Sequence, residues 1–325
     1  MKALVLTEAG VPLSVMEVPD PVPREGEVVV DIAAAALNHR DVWITKGKYP
    51  GIRFPAVLGS DGAGWLDGKR VFLNPSFEWG DKPAAQSKAY HILGLPTQGT
   101  FATRIAIPST HVVEIPSFLT MEQAAAVPLC GLTAYRSLFY RAALQPGERA
   151  LITGIGGGVA VFAFQFAQAA GAEVYVTSGS DEKIARALEM GARFGVNYNR
   201  EAWAKDLKEQ AGGFDVIVDS AAGPGFPDLV SLLNPAGRIV LYGGTRGPIP
   251  SLNPQQIFWR QVSIMGSTMG HAGDFDGMVA FIDRHRIAPV VDRIYSLEEG
   301  QAAFDRMAQG LQFGKIVLQI QNQPV

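Results

Sequence analysis

The tightest constraint on this chain is a glycine-dense turn set between two apolar runs, Leu151-Ile152-Thr153-Gly154-Ile155-Gly156-Gly157-Gly158-Val159-Ala160. Ala150 to Thr153 reads as a strand, and Val159 to Ala170 reads as a helix. Glycines allow a tight turn and leave backbone N–H groups bare, while the helix N-terminus adds positive potential. Together these features suit a pyrophosphate. With Gly154 and Gly157 as the first two glycines of a dinucleotide fingerprint, Ala160 takes the close-packing third position, where alanine is tolerated. A merely structural turn is the alternative. The next strand, Glu173 to Thr177, completes a strand-helix-strand unit and favours the dinucleotide reading.

The stretch Ala150 to Ala172 carries no charged side chain and is long enough to suggest a membrane span, but Gly154, Gly156, Gly157 and Gly158 argue for a buried strand, turn and helix. Further strands are expected at Asp215 to Asp219 and Arg238 to Tyr242, with a helix from Asp181 to Met190. This alternation predicts a parallel sheet covered by helices. The chain before it reads differently. Lys2 to Leu6, Glu27 to Ala33 and Lys69 to Leu73 are short β-rich runs, and Asn74 to Thr100 is a turn-rich stretch expected to form a long ordered loop. The end, Lys315 to Ile320, reads as a strand able to pair back into the first lobe.

A length of 325 residues suits two domains, and 47% hydrophobic residues supply ample core. A net charge of -3 leaves no electrostatic footprint for nucleic acid or anionic lipid. One cysteine makes neither an internal disulfide nor a four-cysteine zinc site, and the early charges at Lys2 and Glu8 interrupt any secretion signal, so a cytoplasmic protein is expected.

The strand after the glycine turn ends at Val176-Thr177-Ser178-Gly179-Ser180, where NAD enzymes place a carboxylate for the ribose 2′-hydroxyl. No acid stands there. Ser178 can donate to a 2′-phosphate, and Lys183 with Arg186 can offset its charge, which favours NADP(H). The competing reading makes Ser180 or Asp181 a helix cap and the two cations its solvated face.

Several further stretches, taken together, carry a resemblance: Ala36-Leu37-Asn38-His39-Arg40-Asp41, Gly47-Lys48-Tyr49-Pro50-Gly51, Leu58-Gly59-Ser60-Asp61-Gly62-Ala63-Gly64, Gly131-Leu132-Thr133-Ala134-Tyr135 and Phe313-Gly314-Lys315. With the glycine turn, they resemble the medium-chain dehydrogenase/reductases, in their zinc-free, quinone oxidoreductase-like branch. The resemblance implies an α/β protein: a Rossmann doubly wound parallel sheet plus a GroES-like β-rich catalytic domain. The expected divisions are 1–120 catalytic, 121–266 NADP(H)-binding and 267–325 catalytic again, with the nicotinamide in the cleft between lobes. Zinc-dependent relatives hold their metal at positions that correspond here to Asn38, Ser60 with Asp61, and Cys130, of which only the thiol is a good zinc ligand. A makeshift site from Cys130, His39, His91 and Asp61 lacks the spacing of a metal motif.

By resemblance, Asn38 lies near the nicotinamide and Thr133 near its carboxamide or ribose, while Gly157, Gly158 and Val159 cradle the pyrophosphate. Ser178, Lys183 and Tyr198 surround the 2′-phosphate. Gly243, Gly244 and Thr245 border the cofactor, and Ser267, Thr268 and Lys315 close it from the other side. Asp41 and Tyr49 are substrate-side polar groups. Without a metal to polarise a simple carbonyl, quinones and α,β-unsaturated carbonyls are the expected hydride acceptors. An NADP(H)-dependent alcohol or aldehyde oxidoreductase and an NADPH-binding sensor are the alternatives. A homodimer is expected through the cofactor lobes, with Phe258 to Met265 as an apolar edge strand.

Overall fold

A computed structural model describes residues 1–321, and residues 322–325 lie outside the described part. The chain divides into two compact units, one of residues 1–132 with the C-terminal segment from Gly270 onward, and one of Thr133–Met269.

In the β-rich unit, the strand Glu27–Ala36 is the organiser. It runs beside Asp61–Leu66, Arg104–Pro108 and the returning Lys315–Gln319, all antiparallel to it. These belong to a seven-stranded sheet that also includes Val112–Glu114, Lys69–Leu73 and Val291–Ser296. Val317 pairs with Ala36 and Gln319 with Ala34, so the last strand among the described residues closes on the first lobe as its apolar character predicts. Ala34, Ala35 and Ala36 are buried, and Asp61 opens the neighbouring strand opposite Ala36. Sheet packing thereby carries a carboxylate into the interior.

Two sequence expectations for this unit change. Residues Asn74 to Thr100 are not all loop, because Ser76–Phe77 and His91–Ile92 form a small antiparallel ladder. The division expected at residue 120 falls at 132 instead. The helix Met121–Ala126 packs on Glu27–Ala36 and Asp61–Leu66, since Ala124, Ala125 and Ala126 are small enough to lie flat on the sheet.

The second unit is a six-stranded parallel sheet in the order Phe194–Asn197, Glu173–Ser178, Arg149–Ile152, Phe214–Asp219, Leu233–Leu241, Ser263–Gly266. Chain order reverses at the central strand Arg149–Ile152, and such switch points open ligand crevices at the carboxyl ends of strands. The charge-free stretch after it folds as the helix Gly158–Ala169, and no helix among the described residues is long and apolar enough to cross a membrane. The edge strand expected over Phe258 to Met265 is shorter. Asn253 caps a helix Pro254–Phe258 by accepting from Gln255 N–H, so the strand forms only over Ser263–Gly266.

Candidate functional site

In the parallel-sheet unit, the glycine turn has the backbone that its residues dictate. Gly154 and Gly156 have φ of +65° and +112°, which side chains other than glycine's adopt only with strain. A Cβ on Gly156 would also lie 2.6 Å from Lys183 Cδ, so the lysine stem rests on the turn. Gly157 precedes the helix Gly158–Ala169 without a side-chain cap, and Gly157, Gly158 and Val159 remain partly accessible. Uncapped N–H groups at a helix start are donors for an anion.

Asp219, which belongs to no motif of the sequence, braces this turn. Its Oδ1 accepts from Thr153 Oγ1 at 2.6 Å, and its Oδ2 accepts from the Ala221 and Ala222 N–H groups at 3.1 and 2.8 Å. The carboxyl ends of the two central strands are thereby tied together.

At the end of Glu173–Ser178, Ser178 is buried and its hydroxyl donates to Ile155 O at 3.3 Å. A Cβ on Gly179 would sit 2.9 Å from Tyr198 Oη, so that glycine lets the phenol close in. The guanidinium carbon of Arg246 lies over the same ring, 5.3 Å from its centroid. Sequence reasoning missed Arg246 because an arginine in a polar loop reads as solvated surface. Its proximity to Gly243, Gly244 and Thr245 was the available signal. Gly243 is required here, as a Cβ would meet Ser220 O at 2.6 Å.

Asp181, the one acid near the ribose position, is engaged elsewhere. Its Oδ1 accepts from Asn197 Nδ2 at 3.1 Å and from Arg200 Nη2 at 3.3 Å. Ser267 pairs its N–H with Leu241 O, yet its buried Oγ has no hydrogen-bond partner. Thr133 accepts at its carbonyl from Ser137 Oγ at 2.7 Å, and its hydroxyl approaches Met269 Sδ at 3.7 Å. Thr268 follows Ser267 at the carboxyl end of the last strand and is half-buried. The glycine turn, the Arg246 guanidinium over Tyr198 and the orphaned Ser267 hydroxyl fit a nicotinamide dinucleotide.

In the β-rich unit, four side chains converge. Lys315 Nζ lies 2.7 Å from Asn38 Oδ1, 2.9 Å from Asp61 Oδ2 and 3.5 Å from Cys130 Sγ. Asn38 Nδ2 donates to Asp61 Oδ2 at 2.9 Å, and the Cys130 thiol donates to Asn38 Oδ1 at 3.3 Å. Asp61 Oδ1 accepts from the Leu129 N–H at 2.8 Å. All four residues are buried. Burial opposes the Lys315 charge, but the Asp61 carboxylate and Cys130 outweigh it and raise its pKa above the ordinary value. Burial also pushes the Cys130 thiol up to about 11, so it stays protonated near neutrality.

This arrangement corrects the expectation for Lys315. An ammonium has three N–H groups, and all three are directed at acceptors inside the β-rich unit, leaving none to donate to a cofactor it was expected to close over. Asp41, expected on the substrate side, is fully buried, and its Oδ2 accepts from the Asn38 backbone N–H at 2.8 Å. It is therefore a cap of the helix His39–Thr45. Its Oδ1 has no partner, and desolvation raises its pKa to about 6 despite the opposing charge of Arg40.

Tyr49 is half-buried, with the Arg40 guanidinium 5.0 Å from its ring centroid and Arg40 Nε 3.5 Å from its Oη. Arg40 also donates to Ser60 Oγ at 2.6 Å and to Leu93 O at 2.9 Å. Arg40 thus links Tyr49 to Ser60, a role its place at a helix start did not announce.

The set of atoms around Lys315 does not fit a metal. An amide oxygen, one carboxylate and a protonated thiol surround a cation that would repel a second one. Among the described residues, no group of three or more His, Cys, Asp or Glu side chains is placed to hold a metal ion.

These features define a two-unit nicotinamide oxidoreductase architecture, and the chain belongs to the medium-chain dehydrogenase/reductase superfamily. Residues 24–117 match the alcohol dehydrogenase GroES-like domain and residues 158–284 match the zinc-binding dehydrogenase family. The chain is 34% identical over 340 residues to the zinc-type alcohol dehydrogenase-like protein YogA of Leptosphaeria maculans, covering 95% of each. A crystal structure of an NAD-dependent alcohol dehydrogenase aligns with a TM-score of 0.92 at 34% identity, covering 98% of this chain and 100% of the other. The quinone oxidoreductase of Thermus thermophilus, solved also in complex with NADPH, aligns with a TM-score of 0.81 at 27% identity over 98% of this chain and 100% of its own.

Proposed function

We propose that this protein is an NADPH-dependent reductase of quinones or α,β-unsaturated carbonyls that works without a catalytic metal. The observation that carries this reading is the Lys315 ammonium among Asn38, Asp61 and Cys130, which with Ser60 stand where zinc-dependent relatives keep their metal site. No Lewis acid is then available to stabilise a free alkoxide, so the suited acceptors are those that spread incoming charge over a conjugated system.

The residues that would hold the cofactor are Gly157, Gly158 and Val159 for the pyrophosphate, with Gly243, Gly244, Thr245, Ser267 and Thr268 beside it and Thr133 for the carboxamide or ribose. Lys183, Tyr198 and Arg246 would hold the 2′-phosphate, whereas the buried Ser178 hydroxyl, expected there, already donates to Ile155 O. When bound, reduced nicotinamide supplies the hydride. Arg246 and Lys183 offset the phosphate charge, and Asp181 is restrained from repelling it by Arg200 and Asn197. Tyr49 serves as proton donor. Arg40 donates toward its oxygen, which leaves the phenol hydrogen available to the reduced acceptor.

The likeness to an NAD-dependent alcohol dehydrogenase favours alcohol or aldehyde chemistry as a second reading. A panel of quinones, enones, aldehydes and alcohols, each run with both the NADP and the NAD couple, separates the two. Turnover of primary alcohols with NAD at rates above enone reduction would reverse the assignment. We further propose a homodimer through the edge strand Ser263–Gly266, beside which Phe258 and Trp259 are 65% and 78% exposed. Light scattering of wild type and Trp259→Glu tests it, with a monomeric wild type as the contradicting result.

A further inference from the structure

We propose that Lys315 is a positioning residue for catalysis: through Asn38 Oδ1 its ammonium fixes and polarises the Asn38 carboxamide, whose remaining N–H receives the acceptor's carbonyl oxygen. The inference rests on the hydride-transfer reading above and assigns within it the group that replaces a metal.

A carboxamide offers two N–H donors and two acceptor sites on oxygen. Asn38 uses three of these inside the cluster. Its oxygen accepts from Lys315 Nζ at 2.7 Å and from Cys130 Sγ at 3.3 Å, and one N–H goes to Asp61 Oδ2 at 2.9 Å. The neighbours settle which end is oxygen, because a flipped amide would set NH2 against the ammonium and oxygen against the carboxylate. One N–H remains uncommitted.

The ammonium on Oδ1 and the carboxylate on one N–H hold the amide plane from both ends. A cation on the oxygen also draws electron density through the conjugated C–N bond, which strengthens the other N–H as a donor. Asn38 is only 3% exposed, so this donor works in a poorly hydrated setting where a preorganised dipole acts more strongly than in water. Lys315 itself is 2% exposed and has its three N–H groups committed, so it acts through the amide.

The step balances without a metal. Hydride adds to the β-carbon of an enone, forming a C–H bond there as the C–H bond that held it on the reduced nicotinamide would break. The alkene π pair shifts to make an enol(ate) double bond, and the carbonyl π pair moves onto oxygen, where the Asn38 N–H meets it. Transfer of the Tyr49 hydroxyl proton to the enolate then completes the reduction, and the tyrosinate left behind is reprotonated from water. The acceptor gains two electrons and the nicotinamide loses them.

The test uses three proteins: wild type, Lys315→Met/Asp61→Asn, which removes both buried charges together, and Asn38→Ala, which leaves the Lys315 and Asp61 pair intact. The probe is carbonyl-13C-labelled cyclohex-2-enone bound in the presence of NADP+, with its C=O stretch read by difference infrared. NADPH affinity by fluorescence and the melting temperature serve as controls. Wild type is expected to shift the stretch to lower wavenumber. Both variants should lose the shift and about 10- to 100-fold in kcat, with NADPH affinity held within about twofold. A double variant that keeps the wild-type shift and kcat overturns the role of Lys315. If the double variant does not fold, Asn38→Ala decides, and an unaltered shift there overturns the inference. If wild type with NADPH bound reduces neither enones nor quinones, the function assigned above fails, and this inference fails with it.

Discussion

Lys315 and Asp61 are 254 residues apart in the chain, yet their side chains meet at 2.9 Å with both withdrawn from water. The pair joins the last strand of the β-rich sheet to a strand near its start. Breaking such a pair leaves one charge buried without a partner, a loss of about 3–5 kcal/mol. Lys315→Met alone should therefore lower the urea midpoint sharply, and adding Asp61→Asn should recover most of the loss. Equal stability of the single and double variants would show that the pair is not coupled.

Asp41 gives a pH signature of known sign. Its pKa in the folded protein is raised to about 6 from 3.8, chiefly by desolvation. Above that range, both folded and unfolded forms are ionised and the fold bears the cost of a buried charge. As pH falls through 6 towards 3.8, the folded state takes up the proton first, so this group's penalty diminishes. Asp41→Asn keeps an acceptor for the Asn38 N–H and should stabilise the protein by about 1–3 kcal/mol at pH 7. Urea unfolding of both proteins at pH 7 and pH 4 should show the gain shrinking on acidification. A pH-independent difference would contradict it.

Arg246 should select between the two nicotinamide dinucleotides. Its guanidinium lies over the Tyr198 ring, where the proposed NADPH reading sets the 2′-phosphate, and one charge-assisted contact is worth about 1.5–3 kcal/mol. Arg246→Ala should raise the Kd for NADPH about 10- to 100-fold while leaving NADH binding within about twofold. Equal weakening of both would place Arg246 away from the phosphate.

What the sequence announced and what it concealed have physical reasons. The glycine turn was legible because φ values of +65° and +112° admit little but glycine, and the parallel sheet covered by helices followed from alternating strands and helices. Lys315 opening an apolar strand was legible as part of a sheet. Its burial was not, because lysine is among the residues least often found inside and its partners lie far away in the chain. Arg40, Asp219 and Arg246 were concealed for a similar reason, since a single polar side chain leaves no periodic trace of its contacts. The unit boundary was misplaced because Ala124 to Ala126 look the same to a periodicity argument whichever sheet they cover.

Reduction of a conjugated acceptor by this protein should need no metal. The direct measurement is NADPH oxidation with 1,4-benzoquinone and cyclohex-2-enone after dialysis against a strong chelator, with elemental analysis verifying that zinc has fallen below about 0.1 equivalent. Turnover should be undiminished, and added zinc should not increase it. Activity lost on chelation and restored by one equivalent of zinc would contradict it.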